Sequence, residues 1–263
     1  MKRFIIYTLI ALFIYTPRSV FSRDENYSEY VVKSTESLDK AVDKVKGSQE
    51  RENYEQHLEE IYKAAALDST GLSFEVFRKG VTGYYNMLEN QVLQNQSIVT
   101  IIDYTKPSTE KRLWIIDLDK REIVEHTLVA HGKNTGDNVA LNFSNAPGSH
   151  MSSQGFFVTK NIYQGKHGKS LRIEGLDENF NNNALSRAIV IHGASYVCDD
   201  FVSQNGRLGR SHGCPAVPVD KTNTIIDLVH GGSCVFINSG SPDYYSDFLN
   251  ENAAIKIYNA MNA

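Results

Sequence analysis

Ser211, His212, Gly213 and Cys214 stand in a row inside the glycine-rich stretch GRLGRSHGCPAV, which runs from Gly206 to Val217. A cysteine attacks a carbonyl only as its thiolate. A catalytic one therefore needs an imidazole to take the proton and N–H donors to hold the oxyanion that follows. The chain offers each part. His192 follows the apolar run Ala188 to Ile191 and precedes Gly193, so the end of a strand can present its side chain to a loop-built site. Gly206, Gly209 and Gly213 permit a tight backbone whose amides can converge on a bound oxygen. Pro215 has no N–H and biases Cys214 toward an extended conformation, while Cys214 keeps its own amide as a donor.

The elements that must position these residues follow from periodicity. From about Tyr27 to Val92 apolar residues repeat at helical spacing. One stripe is Leu38, Ala41, Val42 and Val45, a second Tyr54, Leu58, Ile61, Tyr62 and Ala65, and a third runs from Phe74 to Leu88 behind Ser73 as N-cap. These are read as packing faces, and Gly80 and Gly83 either weaken the third helix or admit another backbone closely. After Gln94 the period becomes two, and SIVTIIDY, RLWIID, REIVEHTLVA, GFFVTK, SLRIEG, RAIVIHG and SCVFIN read as strands, with one internal helix near Thr222 to Val229. The fold class is α+β, mainly β. Residues 1–22 are a leader, 23–95 a helical region, 96–240 a β-rich catalytic domain, and 241–263 a surface helix or tail.

The leader sets the compartment. Lys2 and Arg3 precede the apolar run Phe4 to Tyr15, and Val20-Phe21-Ser22 offers small residues before a cleavage site. That run is short of the roughly 20 residues a membrane span needs, so export to the periplasm or cell envelope is expected, with no stable membrane span. Without the leader's Lys2, Arg3 and Arg18, the 27 basic residues fall to 24 against 31 acidic ones, a balance that does not suggest a nucleic-acid partner.

In an exported protein thiols tend to pair, and the odd count of Cys198, Cys214 and Cys234 leaves at least one unpaired. A Cys198–Cys234 disulfide would leave Cys214 free. A zinc site has ligand types in His192, His212, Cys198 and Cys214, but no C-x-x-C or H-E-x-x-H spacing supports it. The nucleophile reading calls for no metal and no cofactor. His131, His150 and His167 are read as loop residues, whereas His212, beside the thiol, has a direct part or shapes the turn.

His192-Gly193, then 17 residues, then Ser211-His212-Gly213-Cys214 resembles the signature of the L,D-transpeptidase (YkuD-type) family. VAHGKNTGDN, FSNAPGSHMSSQGFF and YQGKHGKSLRIEGLDENFNNNALSRAIVIHGASYV extend the likeness to a divergent branch, the murein L,D-transpeptidase catalytic domain proteins, over roughly Thr100 to Asn238. The resemblance implies a β-rich catalytic fold, peptidoglycan stem peptides as partner, and a cysteine acyltransferase. By motif, Cys214 would be the nucleophile, His192 the base, the Gly193 carbonyl the group that orients the imidazole, and the amides of Gly213 and Cys214 the oxyanion donors. Pairing with His192 would make Cys214 reactive below the ordinary thiol pKa. Ser152 to Phe156 stands where relatives open a strand with T-P-x-G-x-F, and reads as scaffold. Most members follow the cysteine with an apolar residue and then Arg or Asn, whereas here Pro215-Ala216 follows. Arg187, Arg207 and above all Arg210 are candidates to bind substrate in place of that missing group, with Ser211 and His212 beside them, since a guanidinium can hold a carboxylate bidentately.

Overall fold

A computed structural model of the protein describes residues 25–263, so the leader expected at 1–22 lies outside the described residues. The chain divides into two compact units, Met1–Gln49 and Glu50–Ala263. In the first, the described backbone is the opening part of helix α1 (Glu25–Ala64). The side chains of Leu38, Ala41 and Val42 also lie outside the described residues. Val45, expected on a packing face, is exposed.

The second unit is built on an eight-stranded mixed sheet. Its strands are β1 (Ile98–Asp103), β2 (Leu113–Asp117), β3 (Glu122–Thr127), β4 (Gly155–Gly165), β5 (Gly168–Gly175), β6 (Val190–Gly193), β7 (Ala216–Val217) and β8 (Cys234–Asn238), in the order β3-β2-β1-β8-β4-β5-β6-β7. β8 joins β1 in parallel, and β7 joins β6 in parallel. The helices of this unit are α2 (Phe74–Glu89), α3 (Asp199–Asn205), α4 (Thr222–Val229) and α5 (Glu251–Met261). Among the described residues no helix is long and apolar enough to cross a membrane.

Both faces of the sheet are covered, which is why the central strands read as unbroken apolar runs. On one face Val99, Ile101, Trp114, Phe156 and Phe236 pack with Tyr54, Leu58 and Ile61 of α1 and with Phe77 and Val81 of α2. On the other, Ile102, Ile115, Phe157, Ile173, Ile191 and Val235 meet Ile225, Ile226 and Val229 of α4. Burying each such side chain contributes about 1.5–3 kcal/mol.

Ser73 caps α2, its hydroxyl accepting from the Val76 amide at 3.3 Å. Two expectations change. The segment Asp199–Asn205 is a helix with no apolar stripe to mark it in the sequence, closed by Gly206 in the left-handed region at φ 70°. The C-terminal helix α5 is more than a surface appendage, because Ala254 and Ile255 are buried and Asn86 of α2 donates to the carbonyls of Phe248 and Asn250 ahead of it.

What approaches Gly80 and Gly83 is side chain and not backbone. A Cβ on Gly80 would press on Ile101, and one on Gly83 would fall inside the Phe156 ring. That ring is fully buried and stacked on Phe236 at 4.6 Å, so it has no room to retreat. Helix propensity favours Ala over Gly by about 1 kcal/mol, whereas overpacking costs about 1–3 kcal/mol. We expect the second effect to win in Gly83→Ala, lowering the urea midpoint at unchanged m-value. A raised midpoint would mean that α2 shifts freely on the sheet.

Candidate active site

His192 lies on β6 and is in register with Ala216 of β7, the parallel strand at the end of the sheet. Cys214 sits two residues ahead of Ala216, in the loop that enters β7. The His192 amide donates to the Pro215 carbonyl at 3.4 Å. Nδ1 of His192 lies 2.9 Å from the Gly193 carbonyl, and a carbonyl only accepts, so Nδ1 carries the proton and Nε2 the lone pair. The ring is buried, which together with nearby His167 and Lys166 lowers its pKa against the Gly193 contact. His192 is thus held neutral, in the tautomer that can accept a proton at Nε2.

The loop before Cys214 is fastened by hydroxyls. Ser211 Oγ donates to the Cys214 carbonyl at 2.6 Å and accepts from the Gly213 amide at 3.0 Å. Its own backbone bonds to His131 and Lys133, so the loop is stitched to the segment 130–133. Buried Ser152 accepts from the Gly132 amide at 3.0 Å and donates to the Gly213 carbonyl at 3.2 Å. Gly213 has φ +123°, and a Cβ there would stand 2.7 Å from the Met151 carbonyl. Only glycine fits this turn.

Several expected groupings differ in detail. The Gly213 amide is engaged by Ser211 Oγ and so is not aimed at a substrate oxygen, whereas no acceptor among the described residues takes the Cys214 amide. Sγ of Cys214 lies 3.8 Å from the carbonyl of Ala188, a residue in the left-handed region at φ 53°, and makes no hydrogen bond to His192. Burial pushes the Cys214 thiol up, against the Val190 amide, Arg187 and Lys166, which pull it down. This reverses the lowered pKa expected from a thiolate–imidazolium pair, because in this resting arrangement the imidazole is not the thiol's partner. We expect half-maximal alkylation of Cys214 at a pH above that of free cysteine. A midpoint below it would show that Sγ turns to His192 spontaneously.

Arg210, favoured from sequence as the substrate-binding guanidinium, is committed elsewhere. It donates to the Gly136 carbonyl at 3.0 Å and pairs with Asp137 at 3.1 Å, as Arg207 does at 2.7 Å. Arg187 is the guanidinium beside the thiol. It donates to the carbonyls of Ser144 and Met151, at 2.7 Å each, and to the hydroxyls of Ser149 and Ser153, all of them uncharged. His212 stacks on His150 at 4.3 Å with 11° between the planes, and His167 stacks on His192 at 4.4 Å. His150 and His167 therefore belong to this neighbourhood, which their loop positions alone did not reveal. All three cysteines are free, with Cys234 buried in the core on β8, so the Cys198–Cys234 disulfide is not formed. Among the described residues no group of three or more His, Cys, Asp or Glu is placed to hold a metal.

A family model described as L,D-transpeptidase catalytic domain matches residues 68–238, which includes α2 and every strand. No curated protein matches the chain. Among solved structures, an L,D-transpeptidase from Mycobacterium smegmatis is 12% identical over 54% of this chain and 58% of its own, with a TM-score of 0.35. L,D-transpeptidase 3 from Mycobacterium tuberculosis is 10% identical over 54% of this chain and 61% of its own, at 0.35. The helical cell shape determining protein from Campylobacter jejuni is 10% identical over 70% of this chain and 64% of its own, at 0.41. This chain thus spans less than two thirds of each of these structures.

Proposed function

The chain belongs to the L,D-transpeptidase catalytic-domain family, and from that premise we propose that it is an exported cysteine acyltransferase acting on peptidoglycan stem peptides. The observation that carries the proposal is the juxtaposition, at the edge of the sheet, of the Cys214 loop with a buried His192 whose Nδ1 is held by the Gly193 carbonyl. Turning Sγ away from Ala188 frees the thiol to give its proton to His192 Nε2 as sulfur attacks the carbonyl of the L,D bond at diaminopimelate. The Cys214 amide faces the developing oxyanion. His192 then returns the proton to the departing D-Ala amine, leaving a Cys214 thioester. An amine of a second stem peptide, with His192 as base, gives a 3,3 crosslink, and water gives the free acid. Arg187 is the cation for a substrate carboxylate, in place of the Arg or Asn absent after Cys214. A cleft of about 500 Å³, lined by Phe143, Met151, Gln154, Ser239 and Pro242, adjoins Arg187 through the Met151 carbonyl and gives a peptide room.

The test is the intact mass of the chain after exposure to a tetrapeptide stem, with Cys214→Ala as control. A Cys214-dependent adduct lacking D-Ala supports the proposal, and crosslinked or hydrolysed product names the acceptor. One observation favours a second reading, a peptidoglycan-binding protein without turnover: Sγ and the Gly213 amide are both engaged away from a substrate. Binding of the chain to sacculi with neither adduct nor product would support it.

A further inference from the structure

β4 and β5 form a hairpin in which Gly165 pairs with Gly168, leaving Lys166 and His167 as its two-residue tip. Both tip residues are exposed, yet the His167 ring lies on His192 at 4.4 Å with 24° between the planes. The tip is therefore fixed over the site and not free in solvent. Ser170, just inside the hairpin, is the register partner of His192, and Lys169 is tied to Asp227 of α4, so the anchoring begins at the base of the turn.

Lysine and arginine side chains act on the reacting groups. Cys214 has Arg187 and Lys166 as its charged neighbours. Lys166 also acts on His192, and Lys133 and Lys166 act on His212. These cations stand at the site of a chain whose formal net charge is −4. Arg187 does not spend its charge internally, since its hydrogen bonds all end on neutral oxygens. A cationic rim on an acidic protein is an electrostatic filter for anions at short range.

We propose that the hairpin tip, Lys166 with His167 as its anchor on His192, makes this site select acyl donors by free carboxylates beside the attacked carbonyl. The inference rests on the acyl transfer proposed above. Stem peptides whose carboxylates are amidated are then poor donors, and Lys166 is a specificity-determining residue.

The test separates the rim from the reaction. Cys214 is alkylated with iodoacetate and with iodoacetamide, an anion and a neutral reagent of nearly the same shape, and the rate ratio is read at the Cys214 peptide by mass spectrometry. Thiol acidity affects both reagents alike, so the ratio reports the local field. We expect the ratio to exceed that of free cysteine at low salt. It should fall about two- to fivefold in Lys166→Gln, drop further in Lys166→Glu, and shrink in every protein as salt is added. A ratio at or below that of free cysteine, or one insensitive to Lys166, overturns the proposal. In a second arm, tetrapeptides amidated at the diaminopimelate side chain, or at the terminal D-Ala, are compared with the free acid for acyl-enzyme formation, which tells which carboxylate is read. Preference for the free acid that Lys166→Gln weakens supports the proposal, and equal acylation of all three donors overturns it while leaving acyl transfer standing. An anion-selective ratio with no acylation from any donor overturns the acyl-transfer reading and confines the tip to binding anions.

Discussion

Cys214→Ser is expected to fold as the parent does and to lose acyl-enzyme formation by at least about a thousandfold. The substitution is nearly isosteric, and the half-buried side chain packs at the edge of the second core cluster beside the Ala188 carbonyl and the Val190 amide. Stability should therefore change little. Chemistry should change a great deal, because a hydroxyl must give up its proton against a far higher pKa than a thiol, while His192, buried and with its pKa lowered, is a weak base. His192→Gln makes the complementary test. It keeps a polar group near the Gly193 carbonyl but removes the titrating nitrogen, and we expect a loss of about a hundred- to ten-thousandfold. Groups that act as a unit are not additive, so the double variant should be no slower than Cys214→Ser alone. Retained wild-type acylation in Cys214→Ser, measured by intact mass and by D-Ala release, would remove the thiol from the mechanism.

Why the fold was legible and the site only partly so comes down to which forces act locally. The strands announced themselves through alternation and β-branched runs, and Ser73 through its place before an apolar stripe, because these are short-range signals. α3 was missed because seven residues with none buried leave no stripe to read, although Gly206 marked its end. That the loop carrying Cys214 runs beside the end of β6 followed from a motif. The orientation of Sγ did not, since it depends on Ala188 adopting a left-handed conformation three-dimensionally adjacent to the thiol. Proximity to the motif put Arg210 ahead of Arg187, because nothing in the sequence shows that Asp137 captures Arg210 and Arg207 and leaves Arg187 without an acid. His167 was hidden for a similar reason. Gly165 and Gly168 flank a hairpin tip in plain view, but only the register of Ser170 with His192 shows where that tip lands.

The largest expected effect on stability belongs to a residue with no part in the motif. Arg112 is fully buried and forms no salt bridge among the described residues, Asp103 and Glu110 acting on it only through space. Its Nε and Nη2 donate to the Val129 carbonyl at 3.0 and 2.9 Å, its Nη1 to Lys106 at 2.7 Å, and its Nη2 to His131 Nδ1 at 2.8 Å, with the guanidinium 4.8 Å from the Tyr104 ring centroid. An arginine has no lone pair to offer, so Nδ1 must accept and cannot take a proton while Arg112 stands there. Burial first, and Arg112 second, push the His131 pKa down to about 4. His131 in turn accepts the Ser211 amide at its carbonyl, so the buried pair underlies the loop that carries Cys214. Arg112→Ala strands three acceptors and opens a cavity, and we expect a loss of about 3–5 kcal/mol by urea unfolding at pH 7. Arg112→Met fills much of the volume and relieves a buried charge, so its loss should be smaller. The pH dependence distinguishes the pair from mere packing. Between about 6.5 and 4 the unfolded chain protonates His131 while the folded chain does not, so stability falls as the pH falls, by about 1.4 kcal/mol per unit within that window. In Arg112→Met, Nδ1 is free to accept a proton, the folded pKa rises toward the unfolded one, and the slope should flatten. An unchanged slope would trace the acid sensitivity to the burial of His131 or to other groups and leave Arg112 as a packing residue only.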